Sequence, residues 1–166
     1  MIQTAPATIR SLFVIAFASL LAACQTVPPQ TGFTPEQVAV LTAEGFVDQG
    51  FEWSLNMPER LLFHTDESTI SAEQQTHIAR IAARLVGVGI TTARVEGHTD
   101  SVGAADYNVK LSKARADAVA APMQAAGMPL SPDRIVGRGE DFPISSNDSA
   151  DGRQDNRRVV IIVSPE

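Results

Sequence analysis

Apolar residues recur along this chain at several spacings, and each spacing marks a different kind of element. SLFVIAFASLLAAC, residues 11–24, is apolar or small throughout. FEWSL, residues 51–55, alternates, with Phe51, Trp53 and Leu55 on one side, as in a half-buried strand. After a turn at Asn56-Met57-Pro58-Glu59, RLLF (60–63) continues that strand. Ser71 and Gln74 stand in capping-box order and open a helix carrying Ile78, Ile81, Ala82 and Leu85 at helical spacing. Gly87 and Gly89 end it. ITTARVEG (90–97) predicts a second strand. Leu111, Ala114, Ala118, Val119 and Met123 give a further helical stripe over 111–126, closed by Gly127. RIVGRG (134–139) and VVIIVS (159–164) predict the last two strands, with a short helix near 150–156 in the polar stretch between them. Upstream, Thr34-Pro35-Glu36 opens a short helix bearing Val38, Val40 and Leu41 and stopped by Gly45. Strands alternating with helices predict an α/β or α+β two-layer sandwich.

The composition bounds the function. Of 166 residues, 44% are hydrophobic and 19% charged, the balance of a globular chain. The net charge of −6 argues against nucleic acid as a partner, because neutralising phosphates takes clustered cations. The N-terminal run is too short for a comfortable membrane span and fits the apolar core of a secretory signal. It ends in Leu21-Ala22-Ala23-Cys24, which resembles a bacterial lipobox. That resemblance implies removal of residues 1–23, acylation of Cys24, and, with Gln25 rather than Asp following, delivery to the outer membrane. Cys24 is the one cysteine in the chain, so no internal disulfide can form. QTVPPQTG (25–32) then reads as a polar, proline-containing tether. The expected organisation is a removed leader over 1–23, a lipidated tether and short helical segment over 24–50, and a main domain over 51–166.

The polar cluster VEGHTDSVG (95–103) is the first candidate for chemistry, since His98, Thr99 and Asp100 follow a strand between two glycines. The three histidines, His64, His77 and His98, match no metal-ligand spacing, and no serine or cysteine nucleophile has a placed base. Neither catalysis nor a metal or organic cofactor is implied. Arg115 is the more telling residue. It lies four after Leu111 and three before Ala118, on the apolar stripe, where a guanidinium must be paired. Asp100 at the neighbouring strand end is its expected partner. Two readings stay open: a structural ion pair, or a fixed cation and a fixed anion that together grip a zwitterion. In the second, Arg115 takes a carboxylate in a forked contact and Asp100 takes an ammonium, with Gly97 and Gly103 letting the ligand come close.

These residues resemble a known family. VEGHTDSVGAADYNVKLSKARADAV, RIVGRGEDFPISSND and GRQDNRRVVIIV carry Gly-His-Thr-Asp, Tyr107-Asn108, Leu111-Ser112, Ala114-Arg115-Ala116 and Asn156-Arg157-Arg158-Val159 in the order and spacing of OmpA-like peptidoglycan-binding domains, as in peptidoglycan-associated lipoproteins. The resemblance covers roughly residues 51–163. It implies an α+β two-layer sandwich with a mixed four-stranded sheet packed by helices. It also implies non-covalent binding of the meso-diaminopimelate of the peptidoglycan stem peptide, which would tether the outer membrane to the cell wall. The implied ligand-binding residues are Asp100 and Arg115, with Thr99, Leu111, Thr65 and Asp66 around them. Arg157 and Arg158 match the double arginine of the family. The alternative is an interaction module facing the periplasm, in a Tol-like, secretion or motility assembly with Tol-type periplasmic proteins as partners. Two departures stand out. His64 replaces a common Asp, and Pro122 sits inside the predicted second helix, where it should kink or loosen it. Segment 33–50 has no family counterpart.

Replacing Cys24 with Ser should release the chain from the membrane fraction while the domain stays folded. Continued fractionation of Cys24→Ser with the outer membrane would contradict the lipobox.

Overall fold

A computed structural model of the chain describes residues 32–63 and 67–165. The leader, Cys24 and the tether up to residue 31 lie outside the described residues, as do His64, Thr65 and Asp66.

Thr34 caps helix α1 (Pro35–Ala43) with a reciprocal box: its hydroxyl accepts from the Gln37 N–H, and the Gln37 side chain accepts from the Thr34 N–H. Leu41 of α1 and Phe46 after it are buried in the same core as the rest of the molecule, so that core draws on residues ahead of Phe51. The chain then forms β1 (Val47–Asp48), which pairs antiparallel with β2 (Trp53–Pro58). A single helical turn, α2 (Glu59–Leu62), follows β2 directly. This corrects the extended reading of RLLF. Strand alternation would send Leu62 and Phe63 to opposite faces, yet both are buried, and the turn does this by leaving Leu61 exposed.

Helix α3 (Ala72–Gly87) starts where Ser71 accepts the Gln74 N–H at 3.2 Å, and it buries Ile78, Ile81, Ala82 and Leu85 as the spacing predicts. Strand β3 (Arg94–His98), helix α4 (Ala105–Ala125), strand β4 (Ile135–Gly137), helix α5 (Ala150–Asn156) and strand β5 (Arg158–Val163) complete the fold. The sheet has five strands in the order β1-β2-β5-β3-β4. Strands β3 and β4 are parallel and every other pair is antiparallel, because α4 carries the chain back across the sheet between them. The architecture is the mixed α+β sandwich expected, with one more strand: β1 is two residues long and leaves no period to read.

Helix α4 departs most from its pattern. It begins six residues before Leu111, and its buried face is Asn108, Ser112, Arg115, Ala116, Val119, Ala120 and Met123. Ala114 is exposed. The first turns bury polar residues, which an apolar stripe cannot reveal. Pro122 does not end the helix; only its own missing N–H is lost, and the Ala126 N–H still reaches the Pro122 carbonyl at 3.1 Å.

What fixes α4 against the sheet is the absence of side chains beneath it. A Cβ on Gly97 would stand 1.9 Å from the Ser112 carbonyl oxygen, and one on Gly137 would stand 2.6 Å from the Lys113 nitrogen and the Val109 oxygen. Gly97 and Gly137 are register partners on β3 and β4. The room at Gly97, expected to admit a ligand, is taken by the helix backbone. The Ser112 hydroxyl completes the seam, accepting from the Gly139 N–H at 2.9 Å and donating to the Val109 carbonyl.

Substituting Gly97 with Ala should therefore lower stability by about 3 kcal/mol, since neither backbone can yield without opening the seam. Urea unfolding measures this, and a loss under about 1 kcal/mol would mean that the helix can lift off at little expense.

Candidate functional site

At one end of the sheet, α2, the β3–α4 turn, the start of α4 and the end of α5 enclose a cavity of about 430 Å³. Asp100, Thr99, Leu111 and Arg115 all line it, so four of the six predicted ligand-binding residues come together. The other two, Thr65 and Asp66, lie outside the described residues.

Arg115 and Asp100 face the same cavity, but they are not each other's partners. Arg115 is 2% exposed as a residue. Its guanidinium pairs with the Glu59 carboxylate, donates from Nε to the Glu67 carbonyl at 3.3 Å, and lies over the Phe63 ring at 5.3 Å. Asp100 pairs instead with Arg157, Oδ2 to Nη1 at 2.5 Å, and its Oδ1 accepts the Val102 N–H at 3.0 Å. Arg157 in turn sets its Nε 2.7 Å from Glu59 Oε2. The result is a continuous row of alternating charge, Arg115–Glu59–Arg157–Asp100, with no net charge. This corrects the expected Arg115–Asp100 pair. The expectation missed Glu59 because it missed α2. One turn of helix is what swings Glu59 over Arg115, and the Glu59 N–H is itself held by the Arg157 carbonyl at 3.0 Å. The readable signal was Pro58 followed by an acid, the usual chemistry of a helix start.

The contacts in the row are not all saturated. The N–H on Arg157 Nε does not point at Glu59 Oε2, so that oxygen has charge contact without a directed hydrogen bond. The Thr99 hydroxyl is buried with no partner, although its backbone N–H donates to Gly139 at 2.9 Å. A buried hydroxyl that makes no hydrogen bond is a standing penalty, and at a cavity wall it is a donor in reserve. Asn108 locks the turn from below, its amide reaching the Asp100 and Val102 carbonyls and Glu140. Gly103, at φ +102°, lets the chain leave that turn in a left-handed conformation.

His98 belongs to the opposite face. The adjacent Thr99 and Asp100 turn to the cavity, whereas His98 looks onto the open side of the sheet with Glu96, Arg138 and Arg158, where a second cavity of about 610 Å³ lies. Arg158 faces the same way, held by the Asn156 and Phe142 carbonyls at 3.0 Å. The double arginine thus splits between the two faces: Arg157, in extended backbone at the end of α5, and Arg158, the first residue of β5, point opposite ways. The His98 imidazole is 4% exposed, with Nε2 3.7 Å from Glu96 Oε2 and Nδ1 unpartnered. Burial, reinforced by the Arg158 charge, pulls its pKa from 6.5 down to about 4. Among the described residues no group of three or more His, Cys, Asp or Glu side chains is placed to hold a metal ion, and no helix is long and apolar enough to cross a membrane.

Comparison with known proteins gives a consistent answer. The family model described as the OmpA family matches residues 62–157. The chain is 39% identical over 161 residues to the outer-membrane lipoprotein YfiB of Pseudomonas aeruginosa, covering 97% of this chain and 96% of that protein. It is 40% identical over 152 residues to the putative lipoprotein YfiB of Escherichia coli, covering 90% and 94%. Among solved structures, the cell wall anchor of the T6SS from Pseudomonas aeruginosa is similar with a TM-score of 0.60 at 29% identity, covering 78% of this chain and 97% of that one.

The His98 shift sets a pH dependence. The unfolded chain takes up the imidazole proton near pH 6.5, whereas the folded chain resists it down to about pH 4, so stability falls as pH drops through that window. Between pH 7 and pH 5 the expected loss is roughly 2 kcal/mol. His98→Gln should remove most of that slope in urea titrations, and an unchanged slope would place its origin elsewhere.

Proposed function

The chain belongs to the OmpA family, and from that premise we propose that it is an outer-membrane lipoprotein whose cavity holds the peptidoglycan stem peptide by its meso-diaminopimelate end. The observation that carries this reading is the meeting of Asp100 and Arg115 in one cavity. Their opposite charges suit an amino-acid end group, which presents a carboxylate and an ammonium on one carbon. Arg115 takes the carboxylate through its planar fork, from a guanidinium that already lies over Phe63. Asp100 takes the ammonium. The unpartnered Thr99 hydroxyl supplies a further hydrogen bond, and the backbone at Leu111 borders the same space. Thr65 and Asp66, implied by the family resemblance, are proposed as further ligand contacts.

The names of the relatives bear on location and role. Both YfiB proteins are named lipoproteins, the Pseudomonas one of the outer membrane, and the alignments run across Cys24. We read Cys24 as the lipidated N-terminus and the folded domain as facing the periplasm. The role is therefore attachment and not catalysis. A second reading, a module of a larger envelope assembly, draws on the similarity to the secretion-system cell wall anchor. The two readings are not exclusive; the second rests on a protein partner and does not require the cell wall as ligand.

Sedimentation with purified sacculi tests the reading. The wild-type chain should pellet with sacculi, and Asp100→Ala and Arg115→Ala should each weaken binding by about 2 kcal/mol or more, roughly thirtyfold. If both variants pellet like wild type, the cavity is not the site. If the wild type itself stays in solution, the partner reading replaces this one.

A further inference from the structure

A bare clamp for a zwitterion would present an open cation and an open anion. This cavity does not, because both recognition groups already carry a protein counter-charge. Glu59 puts a carboxylate on Arg115, where the ligand's carboxylate is proposed to go. Arg157 puts a guanidinium on Asp100, where the ligand's ammonium is proposed to go. Glu59 and Arg157 also sit against one another at 2.7 Å. Together they form an internal copy of the ligand's two charges, seated at both ends of the clamp.

We propose that Glu59 and Arg157 are specificity-determining residues, and that ligand binding is an exchange of ion pairs which admits only an end group carrying both a carboxylate and an ammonium. The proposal rests on the reading that Asp100 and Arg115 hold the ligand. Before binding, the contacts are Arg115–Glu59, Glu59–Arg157 and Arg157–Asp100. Afterwards, the ligand carboxylate is on Arg115, the ligand ammonium is on Asp100, and Glu59 and Arg157 remain with each other. Every charge of the row keeps an opposite partner, and the row with its ligand stays neutral.

An end group with one charge breaks that balance. A carboxylate alone displaces Glu59 from Arg115 but brings nothing to replace Arg157 on Asp100, so the row gains one negative charge that none of its members offsets; of the other arginines lining the cavity, Arg153 is already held by the Asn147 and Asp148 carbonyls and Arg60 stands outside the row. An ammonium alone does the converse. The side chains involved are 3% exposed for Arg115, 10% for Asp100 and 12% for Glu59, so water compensates little and the mismatch is costly. Rejection of the one-charged ligand by an internal competitor is discrimination by an unfavourable alternative, on top of any attractive contact. Arg157, at 28%, is the most exposed of the four and the last to join the cavity along the chain, so it has room to swing.

The test is calorimetric titration of the lipidated chain in detergent with three stem tetrapeptides. One has the free diaminopimelate side-chain end. One has that carboxyl amidated, leaving the ammonium only. One has that amine acetylated, leaving the carboxylate only. Wild type should prefer the free end over either other probe by about tenfold or more. Glu59→Gln opens Arg115 and should tighten the carboxylate-only probe by about fivefold or more; Arg157→Gln opens Asp100 and should do the same for the ammonium-only probe. A scaffold role predicts something else: each variant weakens all three probes alike. That result, or a wild type that binds a one-charged probe as tightly as the free end, overturns the proposal. Circular dichroism establishes that each variant is folded, and if Glu59→Gln is not, Arg157→Gln and the wild-type preference decide. Asp100→Ala separates the two claims. If it binds the free end as wild type does, the site reading fails, and the exchange falls with it. If it loses binding while Glu59→Gln and Arg157→Gln weaken every probe, only the exchange is wrong.

Discussion

The contact between the backbone of α4 and the glycines beneath it determines where everything else in the site can be. With a Cβ at Gly97 the Ser112 carbonyl would be only 1.9 Å away, and Gly137 on the neighbouring strand is nearly as tight. A helix seated this deeply has no freedom to slide along or rotate over the sheet. Ser112 is therefore fixed, and Arg115, one turn further on, must enter the interior. Asp100 follows Gly97 by three residues on the same strand end. The cation and the anion of the cavity are placed from opposite sides of a single seam, so their relative position is set before any charge interaction acts.

Electrostatics then dictates the rest. A buried guanidinium must be paired, and the protein pairs that of Arg115 with Glu59 and sets it over the Phe63 ring. Glu59 and Asp100 share Arg157. Each member of the row has an opposite charge beside it, which gives a neutral arrangement, although Glu59 Oε2 has no directed hydrogen bond. The Thr99 hydroxyl, buried and unpartnered, is the unsettled part. The opposite face of the sheet, which lines a second cavity, shows the same strand ends satisfied in another way. There Arg158 is satisfied by backbone carbonyls, and burial keeps His98 neutral.

The sequence disclosed most where apolar spacing and caps act alone. Helix α3 follows its stripe and its Ser71 cap, and α1 follows Thr34 and Gln37. It disclosed least where polar residues are buried. The early turns of α4 hide Asn108 and Ser112 from any hydrophobic pattern, and the stripe drawn through Ala114 was one position off, although it brought out Arg115. Strand β1 and helix α2 are too short to have a period. The family motifs pointed correctly to Asp100 and Arg115 as neighbours of one cavity. They could not show that each has another partner, because Glu59 enters through an element that spacing does not resolve. Gly97 was rightly picked out as a place of close approach, but what approaches is the helix.

The structure of the chain bound to a diaminopimelate-containing stem tetrapeptide tests the central claim most directly. The account predicts the side-chain carboxylate of the diaminopimelate on the Arg115 guanidinium, its ammonium on the Asp100 carboxylate, and Glu59 still against Arg157. A peptide bound on the open face of the sheet near His98 and Arg158, with the Arg115–Glu59–Arg157–Asp100 row untouched, would contradict it.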